Sequence, residues 1–311
     1  MLEHITRALY YLEVHLLYAS LVAFAAWALT SIPGGSATTK YWIWVATSLN
    51  FVLPVGAVLD TFWASHVSWA APLSLIGDVA NRITRSPAAV GLGVVWFLGA
   101  ISMLTRFCLR IRAERRDAQA IRGKSAPEPR PSVLAHGVQV RFAGSRQAPA
   151  VDGVLRPHIS LPKGIDRLLS ERELNAVLIH ELTHAKRRDN LIRLIHEVGL
   201  CGLWFHPLVW ITGSRLSLYR ELSCDESVIK SAHGADLISA LAKLASPEET
   251  FLLQATASSF LTHRLALLAV AQPQRSCRAA SALLALAFGA VLLASVFETV
   301  AHTACCFVAR T

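Results

Sequence analysis

His180, Glu181 and His184, in the run His180-Glu181-Leu182-Thr183-His184, are the residues whose types and spacing point most directly to chemistry. On a helix, two histidines four positions apart share one face, one turn apart, so neutral imidazole nitrogens of both can reach a single ion. Glu181 lies beside them. It could hold a water at that ion without taking a coordination position, the arrangement of a general base in metal-dependent hydrolysis. The helix itself is expected on local grounds. Ser170 and Glu173 form a capping-box pattern, and Leu174, Val177 and Leu178 then give an apolar stripe leading into the motif, so a helix should start near Glu171.

The pentapeptide alone also fits a polar helix face with two solvated histidines, and a third ligand decides between the two readings. An HExxHxxGxxH pattern is excluded because Arg187 and Asn190 hold the Gly and final His positions. Glu197 and Glu221 are the downstream carboxylates. Glu221 is preferred because Asp225 follows one helical turn later, where a carboxylate can accept the free ring N–H of a ligand histidine and fix its tautomer.

Three runs in order, HELTHAKRRDNL, HPLVW and YRELSCDESV, resemble the M56 membrane metallopeptidases, the BlaR/MecR group of antibiotic-sensing signal transducers, with a more distant likeness to the M48 family. The likeness covers roughly residues 85–300. It implies zinc held by His180, His184 and Glu221, with Glu181 as base and Asp225 as supporting acid. By the same resemblance the substrate would be a cytoplasmic protein, such as a transcriptional repressor whose cutting relieves repression. The antibiotic-sensing members carry an extracellular penicillin-binding sensor after their last span. This chain is expected to lack it, which leaves sensing to the loop at 60–87, the spans or a partner.

The elements that must position these residues follow from composition. Of 311 residues 53% are hydrophobic and 16% charged, with a mean hydropathy of +0.44, a balance that points to an integral membrane protein. Spans are expected at 16–32, 41–59, 90–109 and about 279–297, each long enough for a hydrocarbon core of about 30 Å. The first has no small-residue cleavage pattern and is taken as a retained anchor, with Glu13 and His15 at its interface. A turn at 31–40 carries Pro33, Gly34 and Gly35, and Tyr41, Trp42 and Trp44 open the second span as interfacial aromatics. Asn50 and Pro54 within it read as a packing group and a kink.

Arg110, Arg112, Arg115, Arg116, Arg122 and Lys124 follow the third span. Positive charge beside a membrane end marks the inside, placing the N-terminus outside and the next domain in the cytoplasm of a bacterial-type inner membrane. The formal charge of +9 is thereby assigned to topology, and direct nucleic-acid binding is not expected. The domain plan is an N-terminal membrane region at 1–110, a basic linker at 111–131, a metalloprotease domain at 132–275 with a membrane-associated segment at 191–212, and a last span with a short tail at 276–311. The expected fold class is a mainly α integral membrane protein with about four transmembrane helices and a cytoplasmic α+β zincin-like (gluzincin) metalloprotease domain between spans three and four.

Within that domain, 138–142 and 158–161 read as strands with a turn at Gly153. An exposed edge of their sheet could bind an extended substrate as an added strand, or the strands could form an ordinary hairpin. His206 is expected to be a satisfied buried histidine, Arg220 or Tyr219 to face an oxyanion, and the helix bearing Glu221 to end at a His233-Gly234 cap. Residues 236–270 read as amphipathic helices. Cys108, Cys201, Cys224, Cys277, Cys305 and Cys306 show neither zinc spacing nor a disulfide framework. Two other functions fit the motifs: a membrane quality-control protease, or a non-catalytic receptor whose zinc serves folding alone. The oligomeric state stays open, a homodimer included.

Overall fold

The computed structural model describes residues 2–53, 88–124, 134–135, 137–143, 148–244 and 278–308. Helix α1 (Leu2–Ser31) is joined to α2 (Ala37–Val52) by a turn in which Gly34 and Gly35 have φ of 95° and 72°. A Cβ on Gly35 would also fall 2.6 Å from Leu284 Cδ1, a side-chain end that can shift, so the left-handed conformation is what selects glycine there. Helix α2 starts four residues before the expected span, because Ser36 caps it by accepting from the Thr39 N–H at 3.0 Å.

Helix α3 (Ala88–Lys124) runs on through the basic stretch, so 111–124 is helical. Arginine, alanine, glutamate and lysine are good helix formers, and the first proline in the chain after this helix begins is Pro127. Among the described residues, Val90–Ala113 and Arg278–Val296 are the stretches long and apolar enough to cross a membrane, while His15–Ser31 is a shorter apolar helix. The expected loop at 60–87, residues 54–59 of the span at 41–59, the Pro-rich junction at 125–131 and residues 245–277 lie outside the described residues.

A four-stranded sheet is built from β1 (Leu134–Ala135), β2 (Val138–Ala143), β3 (Ala150–Asp152) and β4 (His158–Pro162) in the order β1-β2-β4-β3. β2 pairs parallel with β4, placing Val140 opposite Ile159, and β3 lies antiparallel on the other side with Val151 opposite the same residue. Helices α4 (Ile165–Leu168), α5 (Glu171–Arg187), α6 (Asp189–Gly202), α7 (Pro207–Lys230) and α8 (Gly234–Leu244) follow. Helix α9 spans Arg278–Val308.

The apolar run at 191–212 is therefore two helices. Pro207, which lacks the N–H that a continuing helix needs, takes the first position of α7. The far end of α7 also differs from expectation. The helix stops at Lys230, the left-handed residue is Ala232 with φ 62°, and Gly234 opens α8. The apparent cap is instead an N-terminal turn, with His233 Nδ1 3.0 Å from Asp236 Oδ2.

Three apolar clusters among the described residues hold the helices in place, one of them joining Ala19 and Ala23 to Phe51, Leu200 and Val209. Val140, Ile159 and Leu161 of the sheet pack on Ala176, Val177 and Leu182 of α5, with Val228 and Leu237 closing the far side. Tyr41, Ile43, Trp44 and Val45 of α2 form the second core with Val22, Leu216, Leu284 and Phe288. The amino end of α5 is pinned by Glu173, whose carboxylate accepts from Lys243 Nζ at 2.7 Å, from the Ser170 N–H at 2.7 Å, and from the Ser239 hydroxyl. Those donors, Lys243 first and then Ser239 and Ser170, outweigh burial and bring the carboxyl from its ordinary 4.5 down to about 2. A depressed folded-state value means that Glu173 contributes stability above pH 4.5 and loses it as pH falls through about 2. Glu173→Gln should flatten that acid limb in melting temperature against pH and lower the melting temperature near neutrality.

Candidate metal centre

His180 lies one turn beyond Ala176 and Val177 and is buried with them, and His184 follows one turn later, so both rings stand on one side of α5, where Glu221 and Asp225 of α7 meet them. α5 then ends abruptly. Arg188 takes φ 55° and its N–H returns to the His184 and Ala185 carbonyls, so the chain reverses and Asp189 opens α6 directly beneath His184.

The three ligand candidates converge. His180 Nε2 lies 3.2 Å from His184 Nε2, and Glu221 Oε2 lies 3.5 Å from the first and 3.8 Å from the second. A tetrahedral zinc ion with bonds of about 2.0–2.1 Å needs donor atoms about 3.3–3.4 Å apart, and each edge of this triangle lies within about half an ångström of that. His180, His184 and Cys224 also lie within 4.8 Å of one another. The Cys224 sulfur sits 3.5 Å from His184 Nδ1, the nitrogen on the far side of the ring from Glu221, and 3.0 Å from the Arg187 guanidinium. Glu221 shares the Nε2 side with both imidazoles and is the better third donor.

Each imidazole is backed by a carboxylate. Asp225 Oδ1 is 3.2 Å from His180 Nδ1, and Asp189 Oδ2 is 2.7 Å from His184 Nδ1. Burial opposes charge on His180, but Asp225 and Glu221 override it and lift the ring to about 9. His184 is likewise raised, against burial, by Asp189, Cys224 and Glu221. Burial works against the charge on Glu221, and the two histidines hold it well below the ordinary carboxylate range. The carboxylates of Asp225, Asp189 and Glu221 thus favour positive charge at the two rings, as they would at a cation held between them.

Glu181 lines a cavity of about 440 Å³ together with the three ligand candidates and Arg220. Its opposite wall is the edge strand β3, with Ala150 and Val151. Asn190 Nδ2 donates to the Val151 and Gly153 carbonyls at 2.9 and 3.1 Å, so part of that edge is already bonded within the protein. Between the two residues considered for the oxyanion, Arg220 faces the cavity and donates to Glu221 Oε1 at 3.0 Å, whereas the Tyr219 hydroxyl points away to the Thr30 carbonyl at 3.2 Å.

Other expectations resolve the same way. Glu197 is not at the centre; it bonds Arg110 at 3.1 Å, with Arg193 4.0 Å away. His206 is also remote and only half-buried, with Ser20 Oγ 3.2 Å from Nε2 and its Nδ1 without a hydrogen-bond partner among the described residues. Asp189, Arg187, Tyr41 and Cys224 were not singled out as site residues by the sequence. Asp189 follows His184 by five positions, a spacing that continues off the motif face on an unbroken helix, and only the left-handed Arg188 brings it under the ring. Arg187 bridges the elements, donating to Asp189 Oδ2 at 2.6 Å, to the Arg220 carbonyl at 3.2 Å and to the Ser223 hydroxyl.

The model of the BlaR1 peptidase M56 family matches residues 14–268, which contain every residue of this centre. The regulatory protein BlaR1 of Bacillus licheniformis is 32% identical over 180 residues, covering 53% of this chain and 28% of that protein. The methicillin resistance mecR1 proteins of Staphylococcus aureus (strain Mu50 / ATCC 700699) and Staphylococcus epidermidis are each 25% identical over 93 residues, 30% of this chain and 16% of theirs. These matches span less than a third of the length of the relatives. With its motif helix, its carboxylate helix and a family match running through both, this chain belongs to the BlaR1 peptidase M56 family.

Proposed function

We propose that this chain is a membrane-embedded zinc metallopeptidase that hydrolyses peptide bonds of a cytoplasmic protein in regulated proteolysis. The observation that carries the reading is the triangle of His180, His184 and Glu221 donors at 3.2–3.8 Å with Glu181 on the adjoining cavity. Zinc at that triangle would supply the Lewis acidity that brings a water's pKa toward about 7 and polarises a carbonyl. Glu181 takes the proton of the attacking water and passes it to the leaving amine nitrogen. Arg220, fixed by Glu221, offers its guanidinium to the oxygen that gains charge. Asp189 and Asp225 hold the two imidazoles in their metal-facing orientation.

The finer architecture belongs to the same proposal. It has four spans, an external N-terminus, a cytoplasmic domain at 132–275 between the third and fourth spans, and a substrate of the repressor class. The name of the BlaR1 relative, a regulatory protein, supports regulated over housekeeping proteolysis. Newly formed protein N-termini should be compared in cells expressing the wild type and Glu181→Gln. The expected result is one wild-type-dependent cut in a cytoplasmic regulator. Scattered cuts in membrane proteins would replace this reading with quality control, and identical profiles would remove the enzymatic reading.

A further inference from the structure

We propose that Tyr41, on α2, is a positioning residue for the metal centre: its hydroxyl fixes the Asp189 carboxylate that orients His184, so the placement of α2 sets how firmly the site holds its metal. This rests on the reading of the site as a zinc centre and adds a lever to it.

Tyr41 is fully buried, and its hydroxyl donates to Asp189 Oδ1 at 2.7 Å. The other oxygen of Asp189 takes His184 Nδ1 at 2.7 Å and Arg187 Nη2 at 2.6 Å. Both oxygens of a carboxylate that is 4% exposed are therefore committed, one to the ligand histidine and one to α2. A buried phenol could satisfy its hydroxyl on any nearby carbonyl, and a phenylalanine would pack as well without that need. Here the partner is the group that selects which nitrogen of His184 faces Glu221. The tyrosine ring makes a second contact with the same assembly, since the Arg187 guanidinium carbon stacks 4.3 Å from its centroid.

α2 also grips the opposite side of the triangle. The Thr38 N–H and hydroxyl both donate to Glu226 Oε2 at 2.9 Å, and Glu226 follows Asp225 on the helix that carries Glu221. One helix thus holds the histidine side through Tyr41 and the carboxylate side through Thr38. Hydrogen bonds of this length weaken steeply as distance and angle change, so a small displacement of α2 would loosen both sides together. The aromatic cluster at 41–44, expected from sequence to mark a membrane interface, stands where a change in that helix would reach the site.

The test uses the full-length protein in detergent micelles, with zinc affinity from chelator competition and the visible absorption of the cobalt-loaded protein as a report on donor geometry. Tyr41→Phe keeps the ring and removes the hydroxyl. It should weaken zinc binding about tenfold, within the range for loss of an orienting partner, and alter the cobalt bands. Ser48→Ala is the control, because it removes another buried bond from the same helix, to His196 Nδ1 at 2.9 Å, a residue with no contact to the triangle or to Asp189 among the hydrogen bonds described above. It should leave affinity and spectrum at the wild-type values. An unchanged Tyr41→Phe protein would overturn the proposal, as would an equal loss in Ser48→Ala, which would mean that general packing of α2 is responsible. A wild-type protein that binds no zinc would overturn the metal reading itself, and this inference with it.

Discussion

Glu181→Gln should lower peptide-bond hydrolysis about a thousandfold and leave zinc content unchanged. Removal of a positioned general base costs about 10²–10⁴ in rate, and glutamine keeps the shape of the side chain while losing its ability to take a proton. Metal should persist because Glu181 lies on the cavity wall while the triangle is made by His180, His184 and Glu221. The measurement pairs a cleavage rate with metal analysis of the same preparation. Full activity would remove Glu181 from the chemistry. A cellular phenotype that survives Glu181→Gln but not His180→Ala would identify the centre as a structural one, holding α5 to α7 for a receptor.

The second large effect separates the two possible donor sets. Glu221→Gln should weaken zinc binding by at least about 100-fold, more than the loss of an orienting group, because a charged donor leaves the triangle. The melting temperature of the metal-loaded protein should fall with it, since the ion would no longer tie α5 to α7. Cys224→Ser should retain the metal. Its sulfur lies against Arg187 and the Nδ1 side of His184, which is already occupied by Asp189. The opposite pattern, with metal lost in Cys224→Ser and kept in Glu221→Gln, would reassign the third donor to the thiolate.

What the sequence made legible was local. The capping box at Ser170 and Glu173 set the start of α5 within a residue, and the spacing of His180 and His184 placed both rings on one face. Glu221 was chosen over Glu197 for the neighbour that Asp225 provides, and the structure brings Glu221 and Asp225 to the histidines. The misses share a cause. Asp189 lies beyond a helix break that periodicity does not foresee, because Arg188 is in a left-handed conformation that arginine seldom adopts. Tyr41 is 148 residues from Asp189, and its apolar neighbours read as membrane rather than as support for the site. The basic run at 111–124 carries no helix signal in its charge, yet its residues favour helix and no proline interrupts them before Lys124.

The scattering of the centre along the chain has a consequence for biogenesis. Tyr41, the histidine pair and Glu221 emerge from the ribosome in that order, and the last donor arrives 37 residues after His184. A nascent chain that has inserted its first helices and folded α5 holds two imidazoles and no third donor. If the centre takes a metal as proposed, full capture would wait for α7 to be synthesised and docked, and activity would begin only with completed assembly.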